Sequence, residues 1–355
     1  MAKILMKGTE AIAEAAIRAG CRFFFGYPIT PQNQIPEYMS RRMPQVGGTF
    51  LQAESELAAI NMVYGAGGCG KRAMTSSSSP GISLKQEGIS YIAGARVPAV
   101  IVNIVRAGPG LGTIQPSQQD YMQATRSTGH GGCRTVVLGP ASVQEAAELT
   151  MEAFEIADAY RIPVIIIGDG MIGQMMEPVD FDAIKIRKRE IPNKDWAADI
   201  STWGKRPRAV INSLYIDPKV CEASNLSWDE MFKTVSRKEV RHEEYMTDDM
   251  DHLIVAFGTT SRICRNAIAA AREQGIRAGM IRPITLSPFP FEAIKLAADR
   301  VKSVLCVEMN SGQMVEDVRL AVNGKLDVKF FGRTGGMIPS PAEILQAVKD
   351  AGGCR

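Results

Sequence analysis

Histidine is scarce in this 355-residue sequence, and cysteine, though present seven times, never clusters. The three histidines, His130, His242 and His252, are isolated from one another, so their spacing supports neither a His-ligated metal nor a Ser-His triad. No two cysteines lie closer than 42 positions, which excludes C-x-x-C redox motifs, zinc knuckles and ferredoxin-type cluster runs. An odd, scattered set also argues against a disulfide framework and for a reducing compartment. Charge of one sign is lacking as well. The 41 Lys and Arg against 38 Asp and Glu leave a formal +3, which gives no reason to expect nucleic acid or an anionic membrane as partner. No stretch approaches the roughly eighteen apolar residues of a membrane span. The opening segment carries Glu10 and Glu14 where a signal peptide would be apolar, so a cytoplasmic location is expected.

What is present is apolar material for sizeable cores, 45% of the residues, arranged as buried strands alternating with helices. Thr9 is placed to cap a first helix whose stripe is Ala11, Ile12, Ala15, Ala16 and Ile17, with Glu10 and Glu14 toward solvent and Gly20 at its end. Phe23 to Phe25 read as a short buried strand, and residues 54–65 as a second helix. The runs 98–106 and 163–170 have the near-continuous apolar character of parallel-sheet strands, and residues 142–160 form a long amphipathic helix. From about 185 to 247 the apolar runs stop. Charge accumulates there, and all three tryptophans, Trp196, Trp203 and Trp228, fall inside the stretch. It reads as an irregular linker lying against other protein surface. A second α/β unit follows, with strands LIVAFG, RAGMI, KSVLCVEM and DVKFFG and helices near 262–274, 289–298, 313–322 and 341–351. The expected division is thus 1–184, 185–247 and 248–355.

Two motifs are decoys. Gly65 to Gly70 matches G-x-G-x-x-G and is followed by Lys71, but a helix precedes it and a strand follows, the reverse of the order a phosphate loop needs. Gly168-Asp169-Gly170 matches the start of a G-D-G…N diphosphate motif. The residues before Asn193 are charged rather than an apolar strand, so Asp169 is read as a strand-end residue. The Ser76–Ser79 run reads as a polar turn into Pro80-Gly81 that a ligand could touch.

Three sites share one logic. The loop Gly26-Tyr27-Pro28-Ile29-Thr30-Pro31 follows a buried strand, where open α/β sheets bind ligands, and its prolines would hold the Thr30 hydroxyl in place. Arg106 ends another strand and opens a glycine loop, which suits bidentate carboxylate recognition as well as it suits a surface arginine. Glu54 and Glu56 open a helix, where the dipole alone would favour them.

The residues YPITP, ESELAAINMVYGAG, TSSSSPG and NIVRAGPGLGTIQPSQQD, in this order, resemble the α subunit of the 2-oxoacid:ferredoxin oxidoreductases, nearest the 2-oxoisovalerate (3-methyl-2-oxobutanoate) branch. The likeness runs through about residue 180 and resumes at RPITLSPFP and VEMNSGQM. It implies a doubly wound pyrimidine-binding domain of a thiamin diphosphate enzyme followed by a transketolase C-terminal-like α/β domain. In that family the glutamate on the aminopyrimidine sits nine residues before a helix glycine. Glu56 is nine before Gly65 and Glu54 eleven, so the resemblance selects Glu56 as the catalytic carboxyl. Bonded to ring N1′, that carboxyl favours the imino tautomer that takes the C2 proton, and the thiazolium then serves as electron sink for loss of CO₂.

By the same resemblance Thr30 and Arg106, with Ile29 beside them, hold the substrate, while Tyr27 and Pro28 flank the cofactor. The diphosphate and Mg²⁺ are then expected on a β subunit bearing the G-D-G motif. Fe–S clusters are expected on β or on γ and ferredoxin-like δ subunits, with CoA as acyl acceptor, ferredoxin as electron acceptor and an anaerobic setting. The glycine loop carries no added positive charge, which favours an apolar 2-oxoacid over 2-oxoglutarate, although Lys85 or Arg126 could reach in. A 2-oxoglutarate enzyme and a non-catalytic assembly subunit are the alternatives.

Overall fold

Alternate residues of the strand Ala99–Val105 enter opposite cores, and this two-sided burial organises the first half of the molecule. In the computed structural model, which describes residues 3–126 and 128–352, all seven residues of this strand are buried. Ile101 and Val105 join one apolar cluster, and Val100, Val102 and Ile104 join the other. That is the pattern of a parallel strand covered on both faces. Around it lies a seven-stranded sheet, in spatial order Thr285–Ser287, Val136–Leu138, Pro163–Asp169, Ala99–Val105, Ala73–Ser77, Phe23–Gly26 and Thr49–Gln52. All neighbours are parallel except the first pair. The helices Gly8–Arg18 and Val143–Tyr160 pack together on one face, and Glu56–Gly68 and Pro80–Gly94 on the other.

The second sheet runs Val328–Gly332, Ser303–Glu308, His252–Val255, Ala278–Pro283 and His242–Tyr245, with only the last strand antiparallel. The helices expected in this half form at Gly258–Glu273, Phe291–Ala298, Met314–Val322 and Pro341–Gly352.

Local expectations fail where a neighbour overrides the local pattern. Glu14 is buried, not solvent-facing, because Arg18, Arg42 and the Tyr38 hydroxyl surround its carboxylate at 2.9, 3.5 and 3.0 Å. Thr9 lies inside the helix Gly8–Arg18 rather than capping it, and its hydroxyl donates to the Gly173 carbonyl at 3.0 Å. A strand precedes that helix, Ile4–Lys7, paired antiparallel with Met176–Val179.

The segment 185–247 is only partly irregular. It contains a 21-residue helix, Pro218–Lys238, started by the Asp217 side chain. Trp228, Phe232 and Val235 fall on one face and are buried in the first unit's core. That stripe is narrow amid charged residues, so helical periodicity is weak in the sequence. The charged run before the helix is tied down by Arg189, which is 5% exposed and pairs with Glu239 at 2.8 Å and also with Glu152. Trp196 lies against the Arg161 guanidinium, 4.1 Å from its ring, whereas Trp203 is exposed.

The two sheets share more than a contact. His242–Tyr245, from the end of the linker, completes the second sheet, while Thr285–Ser287, from the second unit, completes the first. One continuous apolar cluster runs from Ile60, Ile89 and Ile101 into Leu253, Val255 and Val304. At this seam Gln118 is 2% exposed. Its amide nitrogen donates to the Phe257 carbonyl at 2.8 Å, and its side-chain oxygen accepts from the Met309 amide at 3.0 Å. Its backbone carbonyl accepts from the Asn310 side chain at 2.9 Å. The Tyr121 hydroxyl adds a bond to Asp317 at 2.6 Å. Gln118→Leu would fill the same space but orphan the buried Met309 amide, while the Phe257 carbonyl keeps the Thr260 hydroxyl at 2.7 Å. A loss of about 1–3 kcal/mol for the one unsatisfied group, read from urea or thermal denaturation of both units together, is expected. A separate early transition of the second unit would show that the seam does not couple them.

Candidate active site

The site lies where the parallel strands of the first sheet end. Ser55 starts the helix Glu56–Gly68 by accepting from the Ala58 amide at 3.1 Å. This turns Glu56 inward, 5% exposed, while Glu54 stays in solvent. The Glu56 carboxylate rests against the first turn of the helix Pro80–Gly94. A Cβ on Gly81 would stand 2.6 Å from Glu56 Oε1 and 2.1 Å from Ser77 Oγ, so only glycine leaves room for both. Ser77 Oγ is buried and has no hydrogen-bond partner. The serine run is therefore not a simple turn. Ser76 and Ser77 end the strand, and Ser79 begins the helix with a φ of 28°, in the left-handed region that side chains disfavour.

Beneath Glu56, Lys85 is fully buried. Its ammonium donates to the Glu56 carbonyl at 3.3 Å and to the Thr75 hydroxyl at 3.1 Å. Burial pushes its pKa down to about 8, with the charge of Glu56 opposing that shift.

Arg106 brings the other two loops together. Its guanidinium donates to the Thr30 carbonyl at 3.0 Å and to the Leu111 carbonyl at 3.1 Å. Nε is buried without a partner. Two of five N–H groups are thus committed, and three remain. Behind it, the Ser79 hydroxyl accepts from the Arg106 amide at 3.1 Å and donates to Asp120 at 2.7 Å, and Asp120 also accepts from Asn103 at 2.8 Å. Burial raises the Asp120 pKa, against the two hydrogen bonds and the nearby Arg106 charge. In the glycine loop, Gly112 has a φ of +59°, and a Cβ there would lie 1.8 Å from the Ala107 carbonyl.

Tyr27 and Pro28 stand exposed at the rim, and Ile29 and Thr30 are half-buried. The buried Gln32 side chain holds the Tyr27 carbonyl at 3.2 Å and accepts from Ser76 at 2.5 Å. A cleft of about 470 Å³ opens beside Thr30, lined by the apolar Pro31, Ile114, Pro116 and Met171 and by the amide side chains of Asn33, Gln34, Gln115 and Gln174, with no charged side chain in its wall. Lys85 is sealed under Glu56, and Arg126 is paired with Asp317 at 2.6 Å and with Glu316 at 3.2 Å. Neither cation lines the cleft.

Asp169 accepts from the Met171 and Ile172 amides at 2.8 and 3.1 Å, a strand-end carboxylate that starts a short helix. Gly65 to Gly68 end a helix and Ala73 begins a strand, as read from the sequence. Six cysteines are free thiols, and Cys354 lies outside the described residues. Among the described residues no group of three or more His, Cys, Asp or Glu is arranged to hold a metal, and no helix is long and apolar enough to cross a membrane.

A family profile described as pyruvate flavodoxin/ferredoxin oxidoreductase, thiamine-diphosphate-binding, matches residues 14–246, and one for core domain II of pyruvate:ferredoxin oxidoreductase matches residues 250–344. The chain belongs to the 2-oxoacid:ferredoxin oxidoreductase family. Among members of that family, the chain is 47% identical to the ketoisovalerate oxidoreductase subunit VorB of Methanothermobacter thermautotrophicus, over 99% of each chain. It is 38% identical to the 2-oxoglutarate synthase subunit KorA of the same organism, over 97% of each. The solved 2-oxoglutarate:ferredoxin oxidoreductase of Magnetococcus marinus superposes with a TM-score of 0.88 at 25% identity, covering 98% of this chain and 65% of that one. A split-gene transketolase (TM-score 0.61, 14% identity, 98% of this chain and 99% of that one) shares the fold. The first unit is thus the thiamin-diphosphate-binding domain of an oxidoreductase subunit.

The sequence offers Ser77 and Gly81 only as part of a polar turn, and Gln32 and Asp120 not at all. The placement of TSSSSPG and PSQQD carries the signal of Ser77, Gly81 and Asp120, which becomes specific only once the strand order is known, and Gln32 shows itself only through its bonds to Tyr27 and Ser76. Gly81→Ala should displace the Glu56 carboxylate. Because a misplacement of about 1 Å can cost on the order of 10²-fold in rate, turnover of the assembled enzyme should fall by that order while its thermal midpoint moves little. Unchanged turnover would show that the carboxylate tolerates displacement.

Proposed function

We propose that this chain is the α subunit of a 2-oxoacid:ferredoxin oxidoreductase that converts 2-oxoisovalerate, CoA and oxidised ferredoxin to the branched acyl-CoA, CO₂ and reduced ferredoxin. It supplies the pyrimidine side of a shared thiamin diphosphate site. The observation that carries this reading is a buried carboxylate, Glu56, beside an orphaned hydroxyl, Ser77, and a partly uncommitted guanidinium, Arg106, at one sheet edge. These groups fit an aminopyrimidine and a 2-oxoacid carboxylate, and they leave the diphosphate, its Mg²⁺ and the Fe–S clusters to β, γ or ferredoxin-like δ subunits.

When bound, thiamin diphosphate supplies the electron sink for decarboxylation. Glu56 holds the ring nitrogen N1′ by a hydrogen bond and so governs where the ring's protons sit. Arg106, with its free Nε–H and one free N–H on each terminal nitrogen, grips the substrate carboxylate, and Thr30 lies beside it. Tyr27, Pro28 and Ile29 form the rim through which cofactor and substrate meet.

The lack of any cation in the cleft favours a branched apolar side chain, since the cleft's amide side chains offer a distal carboxylate neutral donors but no opposite charge. The 38% identity to a 2-oxoglutarate synthase subunit keeps that acid as the second reading. Coexpression with the partner subunits and assay of CoA-dependent ferredoxin reduction decides between them. Higher kcat/KM for 2-oxoisovalerate is expected, and a preference for 2-oxoglutarate would overturn the assignment. In the same assay Glu56→Gln should lower kcat by about 10²–10⁴-fold. Arg106→Ala should mainly raise KM, by on the order of 10²-fold for a lost charge-assisted pair. Wild-type turnover by Glu56→Gln would leave this chain an assembly subunit.

A further inference from the structure

Among the described residues Lys85 is the one lysine that is fully buried, and the mechanism above does not use it. It sits in the second turn of the helix Pro80–Gly94 and bonds the backbone carbonyl of Glu56, the residue that the proposed chemistry depends on. Its ammonium has two neutral acceptors, the Glu56 carbonyl and the Thr75 hydroxyl, and the charge it faces is that of Glu56. A buried cation is a costly way to fill space: replacing both members of a buried charge pair by apolar side chains is often neutral, whereas removing one leaves the other charge uncompensated. Burial already pushes the Lys85 pKa down to about 8, so this position bears a strain that a neutral residue would not.

We propose that Lys85 is a positioning residue for Glu56, anchoring its backbone through the carbonyl and opposing its charge from beneath, so that the carboxylate meets the aminopyrimidine in one fixed orientation. The inference rests on the reading of Glu56 given above. Three features of the fold converge on it. Gly81 leaves the carboxylate room over the helix, Ser77 leaves an unused hydroxyl beside it, and Thr75, one residue pair earlier on the same strand, holds the ammonium. The carboxylate thus lies against the helix start at Gly81, near the strand end at Ser77, while the cation holds the same residue's backbone.

The test is a four-member set in the assembled complex: wild type, Lys85→Met, Glu56→Gln and the double variant. Each is measured for thermal midpoint, thiamin diphosphate affinity by circular-dichroism titration, kcat and KM. Lys85→Met should lower the thermal midpoint, since the Glu56 charge loses its buried counter-charge, and hold KM within about twofold, but also lose about tenfold in kcat and alter the dichroism of the bound aminopyrimidine. In the Glu56→Gln background the same substitution should change neither kcat nor the dichroism, because residues acting through one another are non-additive. An equal loss in both backgrounds, or a lowered midpoint with unchanged kcat, overturns the proposal. If Lys85→Met does not assemble, Lys85→Gln, which keeps a donor but no charge, is read in the same set. Wild-type turnover by Glu56→Gln alone would instead remove the reading of Glu56, and it is visible without any Lys85 variant.

Discussion

The guanidinium of Arg106 is the tie on which the site depends. Its hydrogen bonds to the Thr30 and Leu111 carbonyls join two loops far apart in sequence, one after the strand Phe23–Gly26 and one after Ala99–Val105. The arginine is 7% exposed, with its backbone amide on the Ser79 hydroxyl and the Asp120 carboxylate, held by Ser79 and Asn103, close enough to feel its charge. A charge in so dry a place is costly unless polar groups surround it.

Glu56 follows the same logic at the neighbouring strand end. Its helix is aimed by Ser55, its carboxylate is seated by the missing side chain of Gly81, and a buried ammonium stands behind it. The cleft beside Thr30 has no charged side chain in its wall. With Arg106 and Thr30 in their proposed roles, it would sort 2-oxoacids by the polarity of their tails.

Most of the architecture was legible because it rests on periodicity. The strands Ala99–Val105 and Pro163–Asp169 and the helix Val143–Tyr160 are long, strongly patterned and unmistakable. What was illegible had its cause elsewhere in the chain. The helix Pro218–Lys238 buries only Trp228, Phe232 and Val235, and the partners of those residues lie in the first unit. Glu14 looked solvent-facing because Arg42 and Tyr38 come from another helix. In the site, Glu56 and Arg106 stood out by position and by family likeness. The buried supports Asp120 and Gln32 did not, and Lys85 stood out only as a cation that could reach the substrate, because a polar residue under a strand end looks, in sequence, like one on the surface.

The family profiles meet between residues 246 and 250, yet the fold does not divide there. The strand Thr285–Ser287 closes the edge of the first sheet from beyond that boundary, and His242–Tyr245 closes the second from before it. A gene cut at the profile junction would yield two fragments, each with a row of unpaired backbone amides and carbonyls where its last strand should be. Fragments of that kind would have to find each other through those edges or aggregate, so splitting the chain at the profile junction exposes surface that the intact polypeptide keeps paired.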